Sequence, residues 1–381
     1  MSFFSSLFKK EHSVLGIDIG SSAIKVVQIK KKRGKAVLET YGELALGPYA
    51  NIEVGRATAL PPEKITEALR DILREAKTSS TICGVALPLS SSLISFLTVP
   101  NVSEKQLKEV INLEARKYIP VPLTEVVLDY SVIPKEETYT TDEAPTKTDK
   151  SEKTDKSVKP AVVVPPQGMD VLVVAIHNEY INNYQSIMTG TGLQPSFYEI
   201  EIFSSIRSVM DQGIGTSMIL DFGARITKLY IVERGVLRGS HIINKGSQDI
   251  TLAMSKTLSI SVVEAEHMKR LYGLKGGPEY KEMNELIVVN LDYIFYEANT
   301  TLLNYQKKYG KNINRVILTG GGALLKGFTD VAKIGFQTEV LYANPFQKVE
   351  TPAFLADELA KAGPEFAVAI GAALRRLEEL E

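Results

Sequence analysis

The sequence is poor in the residues that build covalent or metal frameworks. Cys83 is the only cysteine among 381 residues, which excludes a disulfide framework and a cysteine-rich metal site. A single cysteine is also typical of a reducing compartment. The histidines His12, His177, His241 and His267 are scattered along the chain. A histidine metal site would therefore require the fold to assemble them.

A charge excess and long apolar runs are also missing. The formal net charge is −1, which gives no global field to attract nucleic acid or an anionic membrane. No apolar run reaches the roughly 18–20 residues that span a bilayer. The first ten residues lack the order of a signal peptide. We expect them to form a tail that frays or docks on the body, and a weak contact with a membrane surface is the alternative. We therefore expect a cytoplasmic protein, and its length allows two or three cores.

Short apolar runs near the start predict a three-stranded antiparallel meander. The predicted strands are 15–19, 24–29 and 36–44. The first strand ends in the motif Asp18-Ile-Gly20-Ser21-Ser22, which reads as a polar turn at the first corner of the meander.

The same pattern occurs again far downstream. A strand over 217–223 ends in Asp221-Phe-Gly223, and strands 226–232 and 236–243 follow it. Asp18 and Asp221 are 221 − 18 = 203 positions apart, a period too long for a solenoid. The repetition predicts two related lobes, each opening with a meander.

Other elements follow from periodicity and capping signals. Ser103 and Gln106 form a capping box that opens a helix ending before Pro120. The segment 135–167 is rich in Thr, Lys, Glu, Asp and Pro, which predicts a disordered loop between two paired strands. The remaining predicted elements are helices 62–77, 248–258, 262–271, 286–309 and 366–379 and strands 126–133, 170–176 and 315–318.

Three glycine-containing corners are suited to bind an anion for the same physical reason. A glycine after a strand lets backbone N–H groups approach an anion without a Cβ in the way. A carboxylate at the strand end repels phosphate but can hold a hydrated Mg²⁺ that bridges to it. The corners begin at Asp18, at Asp221 and at Thr319, and the last contains Gly320-Gly321-Gly322. Each corner alone is a common turn, whereas all three on duplicated lobes favour a nucleotide site.

The order Asp-x-Gly-Ser-Ser, Asp-x-Gly and Gly-Gly-Gly resembles the phosphate and adenosine motifs of actin-like ATPases. The resemblance is closer to the PilM family of type IV pilus assembly proteins, itself similar to FtsA. Its most specific parts are Leu113–Pro120, with the sequence Leu-Glu-Ala-Arg-Lys-Tyr-Ile-Pro, and the strand Leu128–Ile133 that follows.

This resemblance implies an α/β, actin-like (duplicated ribonuclease H-like) two-lobed fold with a small inserted α+β subdomain. The implied division is a first lobe over 1–80 and 191–215, an insertion over 81–190, a second lobe over 216–350 and a returning C-terminal helix over 351–381.

The resemblance also implies ATP, with Mg²⁺, in the cleft between the lobes. The metal or its waters would face Asp18 and Asp221. The residues expected to contact the nucleotide are Gly20, Ser21, Ser22, Lys25, Gly223, Thr227, Lys269, Gly320, Gly321 and Gly322. Glu266 and Glu297 are weaker candidates than Lys269, and for all three an exposed helix face is the slightly better explanation.

The family further implies that the protein docks the N-terminal cytoplasmic peptide of PilN, a membrane partner, at the inner face of the cytoplasmic membrane. Glu114 and Tyr118 are the candidate peptide contacts, although the other apolar residues of their helix are better explained as core.

The second turn predicts slow or no hydrolysis. Hydrolytic relatives carry further small residues where this sequence has Arg225. The sequence also offers no convincing acidic or glutamine residue to position an attacking water.

Two alternatives stay open. A sugar or acid kinase of the same superfold is one alternative. An FtsA-like division protein is the other, and it would be expected to carry an amphipathic C-terminal anchor where this chain ends in acidic residues.

Overall fold

A computed structural model describes residues 13–134, 168–211, 213, 215–276 and 281–380. The predicted loop 135–167 and the apolar start of the chain lie outside these residues. The described chain divides into two units, residues 1–92 with 178–381 and residues 93–177.

Unit 1 contains a five-stranded sheet built on the first predicted meander. Its strands are β1 (Ser13–Ile19), β2 (Ala23–Lys32), β3 (Lys35–Ala45), β4 (Ile82–Leu87) and β8 (Gln194–Ile200), in the order β3-β2-β1-β4-β8. The β1–β2 and β2–β3 pairs are antiparallel, whereas β4 runs parallel to both β1 and β8. The central strands β1 and β4 are buried along most of their length, as their continuous apolar sequence requires.

A second sheet of unit 1 repeats this arrangement. Its strands are β9 (Thr216–Phe222), β10 (Thr227–Glu233), β11 (Val236–Ile243), β12 (Arg315–Thr319) and β13 (Glu339–Tyr342), in the order β11-β10-β9-β12-β13. The antiparallel meander is again followed by two parallel strands. The two predicted meanders and the duplication inferred from them are confirmed.

Helices pack on these sheets, and nearly all of them follow helical apolar spacing. They are α1 (Pro62–Glu75), α3 (Asn178–Thr191), α4 (Glu201–Val209), α5 (Ser247–Leu258), α6 (Val262–Tyr272), α7 (Lys281–Tyr309), α8 (Phe328–Phe336) and α9 (Ala356–Glu378), while α2 (Glu104–Ala115) belongs to unit 2. The predicted helices 62–77, 248–258 and 262–271 agree with α1, α5 and α6. The helix predicted over 286–309 begins five residues earlier, at Lys281.

The last helix, α9, returns to the first sheet. Its apolar face joins Val14, Val27 and Ile29 of β1 and β2 in one buried cluster. Backbone approach is close, because a Cβ at Gly16 would lie 1.8 Å from the Ala369 carbonyl oxygen. Small residues therefore allow the helix to lie directly on the strand.

The structure corrects the start of this helix. The prediction began it at 366, but α9 begins at Ala356 and continues through Pro364, although proline has no N–H to donate within a helix. The Pro364 carbonyl oxygen accepts hydrogen bonds from Gly320 N–H and Thr319 Oγ1, both at 2.9 Å. These contacts hold the buried proline in place.

Unit 2 is a small α+β module. Its three strands are β5 (Ser92–Val99), β6 (Val126–Ile133) and β7 (Met169–His177), in the order β5-β7-β6. The pairing of β6 with β7 is antiparallel, as predicted, and the apolar face of α2 packs on the sheet. The unit is shorter than the 81–190 insertion expected from the sequence, because β4 pairs with β1 in unit 1 and α3 also belongs there.

None of the helices in the described residues combines the length and the apolar composition that a membrane span requires.

The close packing of α9 gives a test. A Cβ at Gly371 would lie 1.9 Å from the Ser204 carbonyl oxygen of α4. Gly371→Ala should therefore lower the free energy of unfolding by about 1–3 kcal/mol, since backbone must move. Chemical denaturation measures the change.

Gly239→Ala is the matched control, because the nearest atom to its added Cβ is Ile231 Cδ1 at 4.0 Å. Equal effects of the two substitutions would contradict this packing.

Candidate functional site

A cavity of about 340 Å³ opens where the two sheets of unit 1 face each other. We call it the cleft cavity. It brings together nearly all of the residues predicted to hold a nucleotide and its metal: Asp18, Gly20, Ser21, Ser22, Lys25, Asp221, Gly223, Lys269, Gly320, Gly321 and Gly322. Its volume falls within the range of small-molecule sites.

The first corner is a tight turn between β1 and β2. Gly20 N–H donates to the Ala23 carbonyl oxygen at 3.0 Å, and Asp18 and Lys25 are directly opposite each other on the two strands. The carbonyl oxygens of Ser21 and Ser22 accept from backbone N–H groups of the segment that follows β3. These hydrogen bonds fix the turn, and both serines lie on the cavity wall.

The second corner repeats this geometry between β9 and β10. Gly223 N–H donates to the Ile226 carbonyl oxygen at 3.1 Å, and Asp221 is paired with Lys228 across the strands. The first N–H groups of α5 donate to the carbonyl oxygens of Gly223 and Ala224. Arg225, the departure noted in the sequence, is exposed on the cavity wall.

The third corner approaches the second one closely. Gly320 has φ +82°, and a Cβ there would lie 2.4 Å from Asp221 Oδ1. A side chain is therefore excluded both by backbone conformation and by space. The glycine run places backbone, rather than side chains, along this wall of the cleft cavity.

Two of the candidate contacts lie outside the cavity wall, and a third lies on the wall but is engaged by its neighbours. Thr227 is fully buried outside the cavity wall, and its Oγ1 donates to the Lys245 carbonyl oxygen at 2.7 Å. Glu297 is also outside the wall and pairs with His241. Lys269 lines the cavity, but its Nζ already contacts Ser247 O, Thr251 Oγ1 and Glu266. This lysine therefore orders the α5–α6 wall.

Sequence reasoning missed Lys228 and Glu201. Lys228 Nζ lies 3.0 Å from Asp221 Oδ2 and 2.6 Å from Glu201 Oε2. A signal for Lys228 was present, because it follows Asp221 by seven residues just as Lys25 follows Asp18. Glu201 opens α4 and has no comparable signal, since its partners lie far away in the sequence.

Charges crowd this end of the cleft cavity. Burial, with the nearby carboxylates of Glu201 and Asp221, raises the pKa of Asp18 to about 6 against the opposing effects of Lys25 and Lys228. Burial lowers the pKa of Lys228, but attraction by Asp221 and Glu201 outweighs burial and raises it above the usual value. Lys228 is therefore a permanent cation at neutral pH.

The donor set predicted for Mg²⁺ does not fit the geometry at Asp221. Its carboxylate is only 6% exposed, and Oδ2 already accepts from Lys228 Nζ. No group of three or more His, Cys, Asp or Glu side chains that could hold a metal occurs within the described residues. Of the predicted pair of metal ligands, Asp18 alone lacks such an ion pair at bonding distance.

A second carboxylate pair lies on the opposite wall. Glu365 of α9 is near Glu43 of β3, and Glu43 Oε1 lies 3.4 Å from Lys25 Nζ. Burial, then repulsion by Glu43, raises the pKa of Glu365 to about 7 against the effect of Lys25.

The two predicted partner contacts are in unit 2. Tyr118 follows α2 and is 56% exposed, and neighbouring Leu113 is 63% exposed. Glu114 is bound to Lys117 at 2.8 Å. The Tyr118 and Leu113 side chains are thus both accessible in this unit.

Comparison with known proteins links this architecture to a family. A model of the family described as type IV pilus assembly protein PilM matches residues 16–149 and 155–377. The cell division protein FtsA of Streptococcus pneumoniae serotype 2 is 24% identical over 196 residues, which are 46% of this chain and 43% of FtsA. The match therefore spans less than half the length of that curated relative.

Solved structures show the same fold. A PilM–PilN type IV pilus biogenesis complex superposes with a TM-score of 0.76 at 23% identity, covering 96% of this chain and 98% of that one. MreB5 of Spiroplasma citri bound to AMPPNP superposes with a TM-score of 0.50 at 12% identity, covering 97% and 98% of the two chains. The actin-like two-lobed fold expected from the sequence is confirmed.

The Glu365 carboxyl gives a pH test. Its pKa is higher in the folded protein than in the unfolded chain, so its stabilising contribution is complete below pH 4.5 and is lost as the pH rises through about 7. Glu365→Gln should raise the free energy of unfolding by about 1–3 kcal/mol at pH 8 and change it little at pH 5.

Denaturation without nucleotide at both pH values measures this difference. Glu358→Gln, on the exposed face of the same helix, is the control. An equal effect of Glu365→Gln at pH 5 and pH 8 would show that the carboxyl is not strained by its surroundings.

Proposed function

The chain belongs to the PilM family of type IV pilus assembly proteins, and from this premise we propose that it is an ATP-binding scaffold of the pilus assembly platform. The observation that carries the proposal is the cleft cavity. Two strand–turn–strand corners and a glycine corner converge on it from both lobes. The fold relative MreB5 was solved with AMPPNP, which supports an adenine nucleotide as the ligand.

The polar walls suit the phosphates of ATP. Lys25 lies on the cavity wall beside the Gly20–Ser22 turn, with a side chain only 12% exposed. A partly buried ammonium near a glycine turn is a strong partner for phosphate. The nucleoside would lie along Gly320–Gly322, where side chains are absent. A hydrated Mg²⁺ arriving with the phosphates would face Asp18, and the proposal assigns no metal ligand role to Asp221.

The proposal treats the protein as a binder with slow or no hydrolysis. Glu201 and Asp221 are carboxylates on the cavity wall at the second phosphate corner, and both are engaged by Lys228. A general base must be able to accept the proton of the attacking water. Carboxylates held in ion pairs with a buried lysine are poor candidates for that role.

The proposed partner is the N-terminal cytoplasmic peptide of a PilN-like membrane protein. The similarity to a PilM–PilN complex supports this choice. Within unit 2, the exposed Tyr118 ring and the Glu114 carboxylate offer an apolar and an anionic contact. Docking of such a peptide would hold the protein at the inner face of the cytoplasmic membrane.

Isothermal titration with Mg-ATP and then with a PilN-like peptide tests both parts. Wild-type protein should bind both ligands without appreciable turnover. Lys25→Met should weaken ATP binding by roughly 10- to 100-fold, because one charge-assisted hydrogen bond is lost. Tyr118→Ala should weaken only the peptide.

Lys361→Met is the control for ATP, since Lys361 forms an exposed ion pair with Glu358 on α9. ATP affinity that is unchanged by Lys25→Met would remove the phosphate assignment. Turnover that depends on a small hydroxylated substrate would instead identify a kinase.

A further inference from the structure

Lys228 forms a buried ion-pair cluster at the second phosphate corner. Its Nζ lies between Glu201 Oε2, at 2.6 Å, and Asp221 Oδ2, at 3.0 Å. Both carboxylate residues are 6% exposed, and the lysine side chain is 12% exposed. The cluster lies on the wall of the cleft cavity. A lysine held by two carboxylates therefore occupies the position where the sequence predicted a metal.

Three of the four carboxylate oxygens around Lys228 already accept hydrogen bonds. Asp221 Oδ2 accepts from Lys228 and from the Tyr230 hydroxyl at 3.4 Å. Its Oδ1 is close to Gly320, where an added Cβ would lie 2.4 Å from it. Glu201 Oε1 accepts from Leu89 N–H at 2.7 Å, and Oε2 from Lys228. Mg²⁺ needs oxygen ligands at about 2.0–2.1 Å in octahedral geometry. It would have to displace Lys228 to take Asp221 Oδ2 or Glu201 Oε2 as a ligand here.

The two lobes present their lysines in the same way. Lys25 and Lys228 are 228 − 25 = 203 positions apart, the same distance that separates Asp18 from Asp221. Each lysine is opposite its aspartate on the neighbouring strand and lies on the cavity wall. An ammonium has three N–H donors, and Glu201 and Asp221 accept two from Lys228. The part of the chain that the structure describes shows no acceptor for the third, and Lys228 lines the cleft cavity.

We propose that the Lys228 ammonium takes the place of the divalent cation at the second phosphate corner, donating to the terminal phosphates of a nucleoside triphosphate. The inference rests on the proposed nucleotide binding. It adds that the site itself supplies this cation, so nucleotide affinity depends little on Mg²⁺. Lys25 and Lys228 then contact the phosphate chain from opposite lobes.

The first test needs only wild-type protein and ATP. Titrations are run with excess Mg²⁺ and with EDTA in its place. The two dissociation constants should differ by less than about threefold, well under the tenfold step that corresponds to 1.4 kcal/mol. Binding that is ten or more times weaker in EDTA, on the order of 1.4 kcal/mol or more, overturns the inference but leaves the proposed function standing. Absence of binding under both conditions overturns both.

The second test removes the lysine. Lys228→Met should weaken ATP binding in EDTA by about tenfold or more, and excess Mg²⁺ should restore part of the loss because Asp221 is then exposed to it. If the single variant does not fold, the double variant Lys228→Met, Glu201→Gln replaces it, because it leaves fewer buried carboxylates without a partner. Lys361→Met is the control for the loss of a positive charge. Variants that keep full affinity in EDTA overturn the inference.

Discussion

The ion pairs of Lys228 connect parts of the chain that are far apart in sequence. The lysine is on β10 of the second sheet, Asp221 is on the neighbouring β9, and Glu201 opens α4 after the first sheet. Glu201 also accepts from Leu89 N–H, beyond the end of β4. Removing one partner of such a buried cluster costs about 3–5 kcal/mol, because a charge is left without compensation. The facing walls of the cleft cavity are therefore held by charge as well as by apolar packing.

The two sheets around this cluster share one topology. Each sheet begins with an antiparallel meander whose first turn follows an aspartate, and each continues with parallel strands. Helix α9 completes the arrangement, since it packs on β1 while the Pro364 carbonyl holds the glycine corner after β12. A site formed by turns from both lobes is well suited to a ligand with a charged and an uncharged end. ATP is such a ligand.

Local patterns made most of this predictable. The meanders followed from short apolar runs bounded by glycine, and the same runs revealed the duplication. The predicted residues with glycine or a strand-end carboxylate line the cleft cavity together, because backbone geometry decides their position. Lys228 was missed although its seven-residue spacing from Asp221 repeats that of Lys25 from Asp18. Its importance depends on Glu201, 27 residues away, and only the fold brings the two together. Thr227 and Lys269 have suitable chemistry, but their donors are used by neighbours that the sequence does not reveal.

The central claim is that a nucleotide binds between the two phosphate corners and the glycine corner. Hydrogen–deuterium exchange with and without ATP tests it most directly, because it reports which backbone amides the ligand protects. The account predicts slower exchange in residues 20–25, 223–228 and 319–325 together, with residues 93–134 unchanged. Slower exchange confined to other segments, or none at these three corners at saturating ATP, would contradict it.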